Sequence, residues 1–79
     1  MREKTLRTVV AFHTTTDALA VETYCAAHGV PGRLIPLPTI ISAGCGMCWS
    51  APDAARSAVD EAVRSAGVDP AGVYQMLLS

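Results

Sequence analysis

Two alanine-rich segments with helical spacing divide this chain, and short runs of strand-forming residues flank each of them. The strand-forming runs cover Leu6 to His13, Arg33 to Leu37, Met47 to Ala51 and Val73 to Leu78. The helical segments run from about Asp17 to His28 and from Pro52 to about Ala66. Helical spacing predicts an inward stripe in each: Ala18, Val21 and Cys25 in the first, and Ala55, Val59, Ala62 and Ala66 in the second. The order of elements is therefore β-α-β-β-α-β, and few arrangements can bury the apolar faces of such a chain.

Residues that start and stop helices support these boundaries. Threonines and an aspartate precede the first helix, where their oxygens can accept free backbone N–H groups, and Gly29 follows it. Pro52 is expected in the first turn of the second helix, where its missing N–H costs nothing, and Gly67 ends that helix. Pro36 indicates that the second strand is an edge strand. We predict an α+β, ferredoxin-like fold: a four-stranded antiparallel sheet with two helices on one face.

The length of 79 residues predicts one domain, residues 1–79. Hydrophobic residues make up 51% and charged residues 16%, which excludes a disordered chain. A net charge of −1 and an aromatic content of 5% argue against a nucleic-acid partner. Val9 and Ala11 alternate with the apolar residues that would face the helices. The open sheet face therefore predicts a homodimer or a docking surface for another protein.

The three cysteines, Cys25, Cys45 and Cys48, are an odd number, and they are fewer than a disulfide framework requires. No apolar run reaches the length of a signal peptide or a membrane span. We expect a cytoplasmic protein without a membrane partner, in which the thiols stay reduced. Cys25 falls on the apolar stripe of the first helix and is expected in the core.

Cys45 lies between Gly44 and Gly46, so a partner can approach its thiol closely. In the predicted topology the loop after strand two lies at the edge where the first helix begins. Cys45 would therefore lie near His13 and near the helix N-terminus, whose partial positive charge stabilises a thiolate. His13 is interpreted either as a proton acceptor for this thiol or as an exposed residue at a strand end. Arg33 could meet an anion, but it lies at the opposite edge and is predicted to be a surface charge or a structural pair.

Cys45 and Cys48 form a C-x-x-C pair that has three interpretations. The first is a redox dithiol, although no thioredoxin-like order of elements surrounds it. The second is half of a zinc site, which would need ligands from a second subunit. The third is that Cys48 is a small buried residue of a strand.

The chain resembles a family of small bacterial proteins labelled as selenium/sulfur carrier protein-like. The resemblance rests on Phe12 to Leu19, Gly29 to Pro36 and, most specifically, Ile41 to Gly46, and it extends from about residue 7 to the C-terminus. It implies that Cys45 is the functional cysteine. Cys48 lies outside the family pattern, so a dithiol step is not implied for the whole family.

The resemblance implies a carrier rather than a complete enzyme. Cys45 would hold sulfur or selenium as a persulfide or selenosulfide, received from a donor protein and delivered to an acceptor enzyme. His13 and Cys48 are the other candidate reactive residues, with Cys48 as a thiol that releases the cargo. Gly44, Gly46, Thr15 and Thr16 are candidate contacts to the carried group, and no cofactor or metal is expected. The alternatives are a dimeric ligand-binding or regulatory module and a metal-bridged oligomer.

Overall fold

The computed structural model describes residues 4–41 and 44–78. Its elements in chain order are β1 (Thr5–Ala11), α1 (Thr15–His28), β2 (Arg33–Pro36), β3 (Met47–Pro52), a 3-10 turn (Asp53–Ala55), α2 (Arg56–Ser65) and β4 (Gly72–Leu78). The strands form one sheet in the order β2-β3-β1-β4, and every neighbouring pair is antiparallel. The predicted ferredoxin-like arrangement is confirmed, and β2 is an edge strand as Pro36 indicated.

Helix α1 agrees closely with the sequence prediction. The Thr14 hydroxyl accepts a hydrogen bond from the Asp17 backbone N–H at 3.1 Å, which caps the first turn. The helix ends at Gly29, and it buries Ala18, Val21 and Cys25, the three residues predicted from spacing. Helix α1 has 14 residues and α2 has 10. No helix in residues 4–41 and 44–78 is long and apolar enough to cross a membrane.

The prediction for Pro52 is wrong. Pro52 is the last residue of β3, and α2 begins only after the intervening 3-10 turn. The Asp53 carboxylate holds that turn against the sheet, since it accepts hydrogen bonds from the Thr8 hydroxyl at 3.1 Å and from the Gln75 side-chain amide at 3.0 Å. These cross-strand partners are not visible in the local sequence, which is why the helix start was placed too early.

The main core lies between the sheet and the two helices. Eleven buried residues form it: Val10, Phe12, Ala18, Val21, Cys25, Trp49, Ala51, Val59, Ala62, Val63 and Val68. We call this set the helix-side core. In α2 the inward residues are Val59, Ala62 and Val63, whereas the predicted Ala55 and Ala66 are only partly buried.

The other sheet face carries a second, smaller core. Val9, Ala11, Ile41 and Cys48 are buried there, and partly buried residues of the β2–β3 loop and of β4 pack around them. We call this set the loop-side core. Val9 and Ala11 do face away from Val10 and Phe12, as predicted. The prediction that this whole face is open is wrong, because Val9, Ala11 and Cys48 are 0% exposed within a single chain.

Candidate functional site

A backbone hydrogen bond fixes the position of Cys45. Its N–H donates to the Phe12 carbonyl oxygen at 2.9 Å, and Phe12 directly follows β1. A second bond, from the Leu37 N–H to the Gly46 carbonyl at 2.9 Å, closes the β2–β3 loop at its base. Cys45 therefore lies at the end of β1, a few residues from the start of α1. The topological inference about this edge of the sheet is confirmed.

Gly44 and Gly46 flank Cys45 for different structural reasons. Gly44 has a φ of +79°, and a Cβ atom at this position would overlap the Phe12 carbonyl oxygen. Gly44 is thus required for the approach that lets Cys45 bond to Phe12. Gly46 has a φ of +87°, but a Cβ atom there would meet no atom of the described residues within 4 Å. None of those residues fills the space beside Gly46.

The Cys45 thiol is the accessible one among the three. It is partly exposed, it packs against the rim of the helix-side core, and its Sγ lies 4.0 Å from the Met47 carbonyl oxygen. Cys25 is only 1% exposed and Cys48 is 0% exposed. All three cysteines are free thiols. An external reagent can therefore reach Cys45 without unfolding the chain.

Cys48 lies on the opposite side of the sheet from the core against which Cys45 packs. It belongs to the loop-side core, and its Sγ lies 4.0 Å from the Pro36 carbonyl oxygen. Burial, with a smaller contribution from Cys45, raises the pKa of Cys48 to about 11. The thiol is protonated at neutral pH and is a poor nucleophile in this conformation. Burial raises the pKa of Cys25 as well.

His13, Thr15 and Thr16 cluster in sequence at the start of α1, and all three side chains are exposed. His13 lies next to Phe12, whose carbonyl binds Cys45, but within the described residues its side chain makes no hydrogen bond to the Cys45 thiol. Thr15 and Thr16 are the first two residues of the helix, where backbone N–H groups lack intrahelical acceptors. The structure therefore brings the α1 N-terminus and Cys45 to one edge of the sheet.

No group of three or more His, Cys, Asp or Glu residues in the described part of the chain could hold a metal ion. Cys45 packs against the helix-side core and Cys48 lies within the loop-side core, although Cys45 is near enough to contribute to the raised pKa of Cys48. A zinc site would have to be completed by a second subunit, and that interpretation stays a prediction.

Two features of the site were not identified from the sequence. The Phe12 carbonyl positions Cys45, and its role depends on backbone geometry rather than on residue type. Ile41 turns inward to the loop-side core at 7% exposure, while Ile40 is 81% exposed. Residues Pro38 to Ile41 form a turn, which is closed by a 2.9 Å hydrogen bond from the Ile41 N–H to the Pro38 carbonyl oxygen. The turn directs the two adjacent isoleucines to different environments.

Comparison with known proteins gives one result. A family model described as "Putative Se/S carrier protein-like" matches residues 7–75, which include His13, Cys45 and Cys48. No curated protein and no solved structure gives a significant match. Two residues of the distinctive Ile41–Gly46 segment, Ser42 and Ala43, lie outside the described residues.

Proposed function

This chain belongs to the "Putative Se/S carrier protein-like" family, and from that premise we propose that it carries sulfur or selenium on Cys45. The cargo is held as a persulfide or selenosulfide and passes from a donor protein to an acceptor protein. The chain is a carrier rather than a complete enzyme in this proposal. Its compartment is the cytoplasm, where thiols stay reduced.

The observation that carries the proposal is the difference in access between the three thiols. Cys45 is partly exposed beside the open space at Gly46, whereas Cys25 and Cys48 are buried. A carried sulfur atom must be reached by two partner proteins in turn. Cys45 alone meets that requirement in the folded chain.

The α1 N-terminus supports the same assignment. A helix N-terminus carries a partial positive charge and free N–H groups, both of which favour a nearby anion. Thr15 and Thr16 provide the first backbone N–H groups of α1, and we propose that they face the thiolate or the persulfide. His13 is exposed at the same edge, and we propose that it accepts the thiol proton during loading.

Loading is a transfer without net oxidation. The Cys45 thiolate attacks the outer sulfur of a donor persulfide, so that a new S–S bond forms at Cys45. The donor's own S–S bond breaks, and its electron pair leaves with the donor sulfur as a thiolate. The outer atom is sulfur or selenium, and the electron count is the same in both cases.

Delivery is a second transfer of the outer sulfur or selenium atom, from Cys45 to the acceptor. A nucleophile of the acceptor attacks the outer atom, and Cys45 leaves as a thiolate. A release by Cys48 would instead form a Cys45–Cys48 disulfide, and the burial of Cys48 on the other sheet side argues against it. We propose that Cys48 is a packing residue and that the acceptor takes the cargo directly.

The test is the intact mass of the protein after incubation with a persulfide donor, measured with and without reductant. We expect a gain of one sulfur or selenium atom that reductant removes, that persists in Cys48→Ala and that disappears in Cys45→Ser. Cys25→Ala serves as the matched control for loss of a buried thiol. Equal loading of Cys45→Ser, or loss of loading in Cys48→Ala with the fold intact, would contradict the proposal.

The homodimer predicted from the apolar excess is a separate proposal. Its contact surface is the β4 side of the second sheet face, where the apolar residues Tyr74 and Met76 are only partly buried. Light scattering during gel filtration at micromolar concentration tests it, and a monomer at all concentrations would contradict the homodimer without affecting the carrier.

A further inference from the structure

The uncovered part of the second sheet face forms a groove of about 550 Å³. Two arginines, Arg7 and Arg33, line it together with Ser50 and the apolar residues Ile35 and Leu78. We propose that this groove binds a small organic anion, that is, a carboxylate or phosphate head group on a short apolar body.

Arg7 is held in position by Ser50. Its Nε donates to the Ser50 hydroxyl at 3.1 Å, and its Nη2 donates to the Ser50 carbonyl at 3.3 Å. Ser50 is 3% exposed, so these contacts are shielded from water. A guanidinium has five N–H donors in a planar fork, and the remaining ones stay available for a ligand. Arg7 is therefore a charged group that is oriented in advance but is neutralised by no carboxylate in residues 4–41 and 44–78.

The strand register brings Arg33 to the same place. Arg33 pairs with Ser50 across β2 and β3, and Val9 pairs with Ser50 across β1 and β3. Arg7 precedes Val9 by two residues and thus shares its sheet face. The two arginines therefore lie on either side of Ser50, on one face. The two guanidinium groups carry like charges and repel each other, and a bound anion would relieve that repulsion.

The acidic residues of the described chain lie elsewhere. They belong to the helices, the 3-10 turn and the loop before β4: Asp17, Glu22, Asp53, Asp60, Glu61 and Asp69. None of them lines the groove. Although the net charge of the chain is −1, the groove itself presents two positive charges and none of the carboxylates of the described residues.

The lining determines the class of ligand. Two guanidiniums suit the two oxygens of a carboxylate or phosphate, because the N–H fork matches that geometry. The Ser50 and Thr5 hydroxyls add polar contacts, and Ile35 and Leu78 offer an apolar wall. The volume falls in the range of sites for small molecules, which is roughly 300–1,000 Å³. A small amphipathic anion therefore fits this groove.

The groove and the thiol are separate features. The lining extends along β2 from Arg33 to Pro36 and on to Pro38, toward the loop that contains Cys45, but Cys45 itself does not line the groove. The variant Cys45→Ser should bind the anion as the unaltered protein does, so the groove and the carrier proposal can fail independently.

The test is an NMR titration of the ¹⁵N-labelled full chain with benzoate and, in a second arm, phenyl phosphate, at constant ionic strength set by chloride. We expect saturable shifts at the Ser50 amide and at the Arg7 Nε–H. Arg33→Gln should weaken binding roughly tenfold, the loss expected when a charge-assisted contact is removed. Arg64→Gln, on the exposed surface of α2, is the matched control and should bind normally.

Arg7→Gln removes the Ser50 contacts and can disturb the sheet, so the exposed Arg33 is the decisive position. The proposal is overturned if neither probe gives saturation up to about 10 mM. It is also overturned if Arg33→Gln and Arg64→Gln bind equally. The stronger of the two probes identifies the head group as carboxylate or phosphate.

Discussion

The two faces of this sheet are covered in different ways, and the difference separates two kinds of chemistry. Two helices cover one face and bury a core of eleven residues. A loop covers only part of the other face and buries four residues, beside a groove that contains two arginines. Cys45 packs against the helix side and Cys48 lies within the loop side. The buried thiol thus lies within β3 and the exposed one in the loop before it, although they are close in sequence.

The first and largest predicted effect comes from displacing the β2–β3 loop. Gly44→Ala should lower the free energy of unfolding by about 3 kcal/mol, through strain at positive φ and loss of the Cys45–Phe12 bond. Gly46→Ala should cost only about 1 kcal/mol, because its Cβ meets no atom of residues 4–41 and 44–78 within 4 Å. Urea unfolding measures both. Equal losses would mean that the contact to Phe12 does not hold the loop.

The second test compares the two cores directly. Val9→Ala and Val10→Ala remove the same atoms from adjacent positions, and both valines are 0% exposed. Each change should cost about 2 kcal/mol through lost burial and a residual cavity. Thermal or urea unfolding provides the measurement. A much smaller loss for Val9→Ala would show that the loop covers its face loosely.

The third and smallest effect comes from the Cys48 thiol at alkaline pH. Burial raises its pKa to about 11, from an ordinary value of 9.0. The unfolded chain therefore loses this proton first, so stability is complete below pH 9 and falls between pH 9 and pH 11. The loss at pH 10 is about 1.4 kcal/mol. Urea unfolding across this range should show a smaller decline in Cys48→Ala, in which Cys25 is the buried thiol that remains, and an equal decline would contradict the prediction.

The fold and the position of the candidate site in it could be predicted from the sequence. Helix spacing identified Ala18, Val21 and Cys25, and the order of elements fixed the sheet. The position of Cys45 near the start of α1 followed from topology alone, because β1 and β2 are both antiparallel to β3 and so run in the same direction. Such inferences succeed because they depend on periodicity and on the connection of neighbouring elements.

The second sheet face could not be predicted to the same degree. The turn that brings Ile41 into the loop-side core with Val9 depends on contacts across the fold. Arg7 appears in the sequence only as a charge within an apolar strand, and its relation to Arg33 depends on the register of three strands around Ser50. Arg33 was predicted to be a surface charge or a structural pair for the same reason. Register is a tertiary property that the local pattern does not specify.

Trp49 makes the helix side of this molecule optically distinct. It is the only tryptophan of the chain, it is 3% exposed, and within the described residues its indole N–H has no hydrogen-bond partner. Its fluorescence in the folded protein should therefore be that of an indole in an apolar medium, with emission at short wavelength. The signal reports on the core against which Cys45 packs, and the groove on the other face contributes no indole to it. The fluorescence of Trp49 can thus report on the helix-side core while residues on the other sheet face are substituted.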